Sequence, residues 1–261
     1  MNNLSLENVS SLTNNELVTR MDEIINSGQL SERGNKILQL EVSNMMNTEK
    51  VKNWSNDFQR KIAYKTFQTL WQLRVSEFKP IIDHGLPGDK DVQKQFDWLT
   101  NYQWVIISSR IVFECLRDLI YMIDKGKPLE GGKTKKIKSW LKEENNNFKP
   151  LAILLVRGLK FSRLKREPEI HNNSNYSNKL LSLSVAEIDN SVFSLTKYIK
   201  QYWGDILKMA DGQNFGGYPV FRDEFDDKEW YQLIKEGDIN KINNKIDEMF
   251  EIVESAREGS D

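Results

Sequence analysis

The stretch Phe96–Asp124, FDWLTNYQWVIISSRIVFECLRDLIYMID, decides how this chain folds. Trp98, Leu99, Trp104, Ile107, Ile111, Cys115, Leu116, Leu119, Ile120 and Ile123 recur at three- and four-residue steps. That spacing is helical, and the apolar positions cover nearly the whole circumference. A helix that is apolar all round must be enclosed by others, so this one is expected at the centre of an all-α assembly. Arg110 and Glu114 interrupt the pattern four residues apart on one face. They read either as an i,i+4 ion pair at the core margin or as partners of a site residue elsewhere. Cys115, the only cysteine, reads as core filler and excludes an intramolecular disulfide framework.

Upstream, Thr13 and Glu16 have the spacing of a capping box, with Leu17, Met21, Ile24 and Ile25 as the stripe that follows. Ser31 and Glu32 open a second helical stretch through Ile37, Leu38, Leu40 and Val42. A third is expected over about residues 51–78, with Trp54, Phe58, Ile62, Phe67, Leu70, Trp71, Leu73 and Phe78 at helical steps and Pro80 ending it. Asp83–Asp91 reads as a Gly/Pro loop holding a solvated His84. Its Asp89 and Asp91 lack the Gly and Glu offsets of an EF-hand.

Downstream, residues 126–138 form a Gly- and Lys-rich connection into a short helix, Lys135–Glu144. Gly131-Gly-Lys-Thr134 resembles a phosphate-binding loop in part. Gly126 falls one position too early for that motif, and no strand precedes it. Pro150 suits the first turn of the next helix, which turns Leu151, Leu154, Leu155, Leu159 and Phe161 inward. Pro168 is expected to break it. A last long helix over about residues 184–209 carries Val185, Ile188, Val192, Leu195, Ile199, Trp203 and Ile206, and two short acidic helices follow near Trp230–Ile234 and Ile239–Ile252.

The 261 residues carry a net charge of only −1, but the charges are segregated. From Lys125 to Arg166 there are thirteen Lys/Arg against three Glu; from Arg222 to Asp261 there are thirteen Asp/Glu against six Lys/Arg. One region can therefore attract polyanions although the whole molecule would not. The N-terminal residues lack the basic and apolar regions of a signal peptide, and the longest aliphatic run, Leu151–Val156, is far too short to span a bilayer. A cytoplasmic location without membrane association is the expectation.

The end of the basic region holds Arg166-Glu-Pro-Glu-Ile-His171, and His171 is one of only two histidines. Histidine is the side chain best poised to exchange protons near neutral pH, and arginine the one best suited to grip a phosphate through two parallel hydrogen bonds. Together they suffice to cleave RNA without metal or cofactor, because the 2′-hydroxyl is an internal nucleophile. A single histidine is short of the two proton-transfer roles, and a two-fold dimer would supply the second.

Arg166-x4-His171, placed after a helix and before the polar stretch Asn172–Lys179, resembles the R-x4–6-H motif of HEPN-domain proteins. The order of elements is similar too: a long helix with Ser109-Arg-Ile-Val-Phe-Glu114, a Lys-rich link, the motif helix and a closing helix, over roughly residues 96–210. The resemblance implies an all-α, HEPN-like antiparallel bundle that dimerises. It further implies a metal-independent endoribonuclease of the kind found in toxin–antitoxin and other defence systems. Arg166 would hold the phosphate and His171 move the proton, with Glu114 matching the acidic residue that orients the arginine and Arg110 and Asn172 in support. Lys160, Arg163 and Lys165 would contact the RNA. Residues 1–95 then stand as an N-terminal helical extension, 96–210 as the core and 211–261 as acidic C-terminal helices.

Position 167 departs from the pattern: the family often has Asn, Asp or His there, and this chain has Glu167. Glu167 and the acidic C-terminus favour an alternative, a catalytically silent helical module that dimerises or holds an antitoxin or defence-system partner.

Overall fold

The computed structural model describes Thr13, Glu16, Thr19 and residues 32–77, 90–144, 147–170, 199–215 and 227–258. Thr13 and Glu16 form the expected capping box. The Thr13 N–H donates to Glu16 Oε2 at 2.7 Å and the Glu16 N–H to Thr13 Oγ1 at 3.3 Å. Then come α1 (Glu32–Met46), α2 (Glu49–Lys52), α3 (Asn56–Glu77), α4 (Lys90–Lys125), α5 (Lys133–Lys142) and α6 (Lys149–Ile170). Residues 199–210 form α7, followed by α8 (Asp227–Glu236) and α9 (Ile239–Glu258). There is no strand among the described residues, and the fold is all-α as the periodicity requires.

In α1, Leu38, Val42 and Met45 repeat at steps of four and three and are buried. Ile37 and Leu40 lie off that face and are exposed, Leu40 by 59%. The expected single helix over 51–78 is two, α2 and α3, because Trp54 leaves the helical path. Its indole N–H donates to the Ile123 carbonyl at 3.0 Å, tying this corner to the end of α4. Ser55 then caps α3 by accepting from the Phe58 N–H at 3.4 Å. Gln59 Nε2 donates to the carbonyls of Lys52 (3.2 Å) and Trp54 (2.9 Å), so the break leaves these acceptors bonded. Gly126, just past α4, has φ +62° and sits so close to Trp54 that a Cβ would overlap the indole ring.

The helix α4 is longer than expected, since Lys90 and Asp91 open it rather than end a loop. It lies between α3 and α6, its two main neighbours. Val112, Phe113, Leu116, Leu119, Ile120 and Ile123 are fully buried on it. Ile111 is 44% exposed, so the burial is not complete around the helix. Leu151–Val156 of α6 are buried as a continuous run, each Leu, Ile or Val among them contributing about 1.5–3 kcal/mol. The helices approach closely where Gly158 faces Phe113; a Cβ at 158 would overlap that ring. Pro150 takes its expected place in the first turn of α6. Pro168, expected to break the helix, does not: α6 runs on to Ile170. In the last turn a proline removes its own N–H bond but leaves the termination to the next residues.

The other elements close around this pair. Ile199, Trp203 and Ile206 of α7 are buried as expected, with Tyr202 set edge-on to Phe113 at 5.8 Å. Trp203 Nε1 donates to Glu41 Oε2 at 3.1 Å, joining α7 to α1. Both expected acidic helices form, and α9, the longer, lies against α5. One cluster of buried side chains runs from Leu38 to Phe250. Among the described residues no helix is long and apolar enough to cross a membrane. Phe78, Pro80, His84, Asp89 and 184–198 lie outside the described residues.

Candidate functional site

The motif helix is placed by its N-terminal half. Phe148, at the foot of α6, lies under Lys50 Nζ, 4.7 Å from the ring centroid, and Lys50 reaches Asp124 at the end of α4 at 3.9 Å. Further along α6, Gly158 meets Phe113, so α6 runs antiparallel to α4. Arg166 is eight residues past that contact, about 12 Å along the axis. It is thus level with α4 upstream of Ser108. For Lys160, Arg163, Lys165 and Arg166 the helical backbone is described; His171 and Asn172 lie outside the described residues.

Arg110 and Glu114 form the i,i+4 ion pair of the simpler reading, Nε to Oε1 at 3.2 Å, with the two side chains 28% and 41% exposed. Along the antiparallel pair Glu114 is level with the Arg157 turn of α6 rather than with Arg166. Cys115 is buried, and burial pushes its thiol pKa up, away from the thiolate a nucleophile needs. Gly131-Gly-Lys-Thr134 leads from the α4 helix into α5, with Gly132 as the cap and no strand before it among the described residues.

The basic region divides in two. Its first half surrounds α5, where many lysines meet carboxylates. Lys125 pairs with Glu143 and, at 3.2 Å, with Asp124. Burial lowers the Lys125 pKa, but the two carboxylates outweigh it and hold the ammonium above its usual range. Lys138 and Lys142 converge on Asp247 of α9 at 2.8 and 2.6 Å, and their hydrogen bonds hold that carboxyl below its usual range. The second half of the basic region is the end of α6.

Two charged features escaped the periodicity. Between α3 and α4 the carboxylate of Asp118 collects Arg117 at 2.6 Å, Lys133 at 3.8 Å and Lys65 at 4.0 Å. Arg117 and Asp118 interrupt the apolar run of α4, and that interruption is the local signal that could have singled them out. Asp205 on α7 is only 5% exposed, and burial pushes its pKa up to about 6, with Lys208 pulling slightly the other way. Its sequence neighbours Trp203 and Ile206 gave no sign of that burial beyond the helical phase.

Comparison with known proteins finds no match: no family model, curated protein or solved structure matches the chain.

Proposed function

We propose that the chain is a HEPN-like, metal-independent endoribonuclease that acts as a homodimer in a defence or toxin–antitoxin system of the cytoplasm. The observation that carries this reading is the α4–α6 pair. A long apolar helix, a Lys-rich link and an antiparallel motif helix follow in the order of the family the motif resembles, with Arg166 in the C-terminal part of the motif helix. In this reading Arg166 grips the scissile phosphate and stabilises charge on the phosphorane. His171 takes the 2′-hydroxyl proton, and the His171 of the second copy protonates the leaving 5′-oxygen. Lys160, Arg163 and Lys165 hold the flanking backbone. The Arg110–Glu114 pair enters as a brace on α4, since Glu114 already has an arginine.

The test is incubation of purified protein with single-stranded RNA in EDTA. A 2′,3′-cyclic phosphate and a 5′-hydroxyl are expected, and loss of both with His171→Ala at unchanged helicity. Cleavage that survives His171→Ala sinks the assignment.

A second reading is the catalytically silent helical module, and one observation favours it: Asp247 on the acidic α9 already clamps Lys138 and Lys142 of α5. Acidic helix covering basic helix is the mode by which such a module would hold a partner. No cleavage under any condition, together with a stable homodimer or partner complex, would decide for it.

A further inference from the structure

The two flanks of α5 have different fates. Lys138 and Lys142 face α9 and share Asp247. On the adjoining flank, between α4 and α5, lies an open groove of about 400 Å³ lined by Lys125, Lys127, Lys135, Lys136, Glu143 and the edge of Tyr121. Of the four lysines there, Lys125 is engaged by Glu143 and, at 3.2 Å, by Asp124, and the other three have no such partner among the described residues. Lys136 donates to the Glu130 carbonyl, which leaves its charge uncompensated. Lys127 and Lys135 are exposed and make no ion pair among the described residues. Like charges gathered without counterions repel one another, so this flank gains from an external anion in the way the other flank gains from Asp247.

We infer that the α4–α5 groove is a binding site for the phosphodiester backbone of single-stranded nucleic acid, held through Lys127, Lys135 and Lys136. The chemistry separates this ligand from an acidic protein segment. Where a protein helix does dock on α5, it brings buried Ile242, Ile246 and Met249 along with its carboxylate. The groove offers no such surface: Tyr121 and Trp140, its two aromatic residues, are 5% and 1% exposed, packed edge-on at 5.2 Å. A ligand held there is held by charge, and a phosphodiester chain supplies one full charge per nucleotide. Lysine suits that role as a point charge that tolerates a moving backbone. The inference goes beyond the proposed cleavage and does not depend on it.

The experiment is fluorescence anisotropy of a labelled oligouridylate with the full chain carrying His171→Ala, so that the probe stays intact. With three lysines engaged, affinity should fall about twentyfold between 50 and 200 mM salt. Lys127→Glu with Lys135→Glu should weaken binding by at least about tenfold at the lower salt, while Lys235→Glu with Lys241→Glu, an equal charge change on α8 and α9, stays within about twofold. The milder pair Lys127→Gln and Lys135→Gln should reduce the salt slope by about 1.4, and far-UV circular dichroism checks that all variants stay helical. Binding by the Lys127/Lys135 variants that matches the parent overturns the site. So does displacement of the probe by polyglutamate as effective as by unlabelled oligouridylate, which would make the groove a seat for acidic protein. Because the readout is binding, failure here leaves the cleavage reading standing, and absence of cleavage leaves the groove standing.

Discussion

The seam between α4, α6 and α7 and the seam between α5 and α9 both bury apolar side chains but treat a carboxylate in opposite ways. In the first, Phe113, Tyr202 and Leu151–Val156 exclude water, and a carboxylate caught near it, Asp205, is pushed toward its neutral form. In the second, two lysines hold Asp247 at the margin, and the same type of side chain is held ionised. The difference shows what charge does in this protein: within the bundle it is a cost, and at its edge a weak adhesive. The thirteen cations from Lys125 to Arg166 are therefore not one surface. Some close the α5–α9 seam and some line an open groove.

The comparison can be broken or sharpened at four points. The largest effect belongs to the motif: His171→Ala should lower RNA cleavage by at least about a hundredfold while the thermal midpoint holds, as scored by product release and a melting curve. A fall in both together would place His171 in the fold instead. Next, Gly158→Val forces a side chain into the Phe113 ring and should cost about 3 kcal/mol in urea unfolding. A loss below about 1 kcal/mol would mean the apolar seam is looser than its burial implies. Asp205→Asn works in the other direction. The folded pKa is raised, so between about pH 4 and 6 the native state binds more protons than the unfolded chain. Stability of the parent should fall as pH rises through that window. The variant should be more stable by as much as about 2 kcal/mol above pH 6 and indistinguishable below pH 4. The smallest change is expected from Asp247→Asn, a partly exposed site. Because its pKa is lowered, its contribution is present at neutral pH and lost on acidification below the ordinary aspartate range. Hydrogen exchange should show α9 opening more readily, with little change in global unfolding; a large global loss would contradict the weak-adhesive reading.

How much could be read in advance differed by element. The capping box at Thr13 and Glu16, the starts of α1 and α6 and both acidic helices were legible, since caps, prolines and apolar phase are local signals. The break at Trp54 was not, because its cause is the Ile123 carbonyl far along the chain. Neither was the passage of α6 through Pro168, since position within a turn decides whether a proline interrupts. The Arg110–Glu114 spacing was legible, and its meaning as a pair came only with the side-chain geometry.

Sequence alone determines that this chain is a bundle of helices around Phe96–Asp124, because period and burial are properties of neighbours three and four residues apart. It also determines that the cations are gathered in one region and the anions in another. Which lysines are neutralised and which face open solvent is settled by tertiary contact, as when Asp247 reaches Lys138 and Lys142 across a hundred residues of chain. Long-range pairing depends on where two helices meet in space, and no local pattern carries that information.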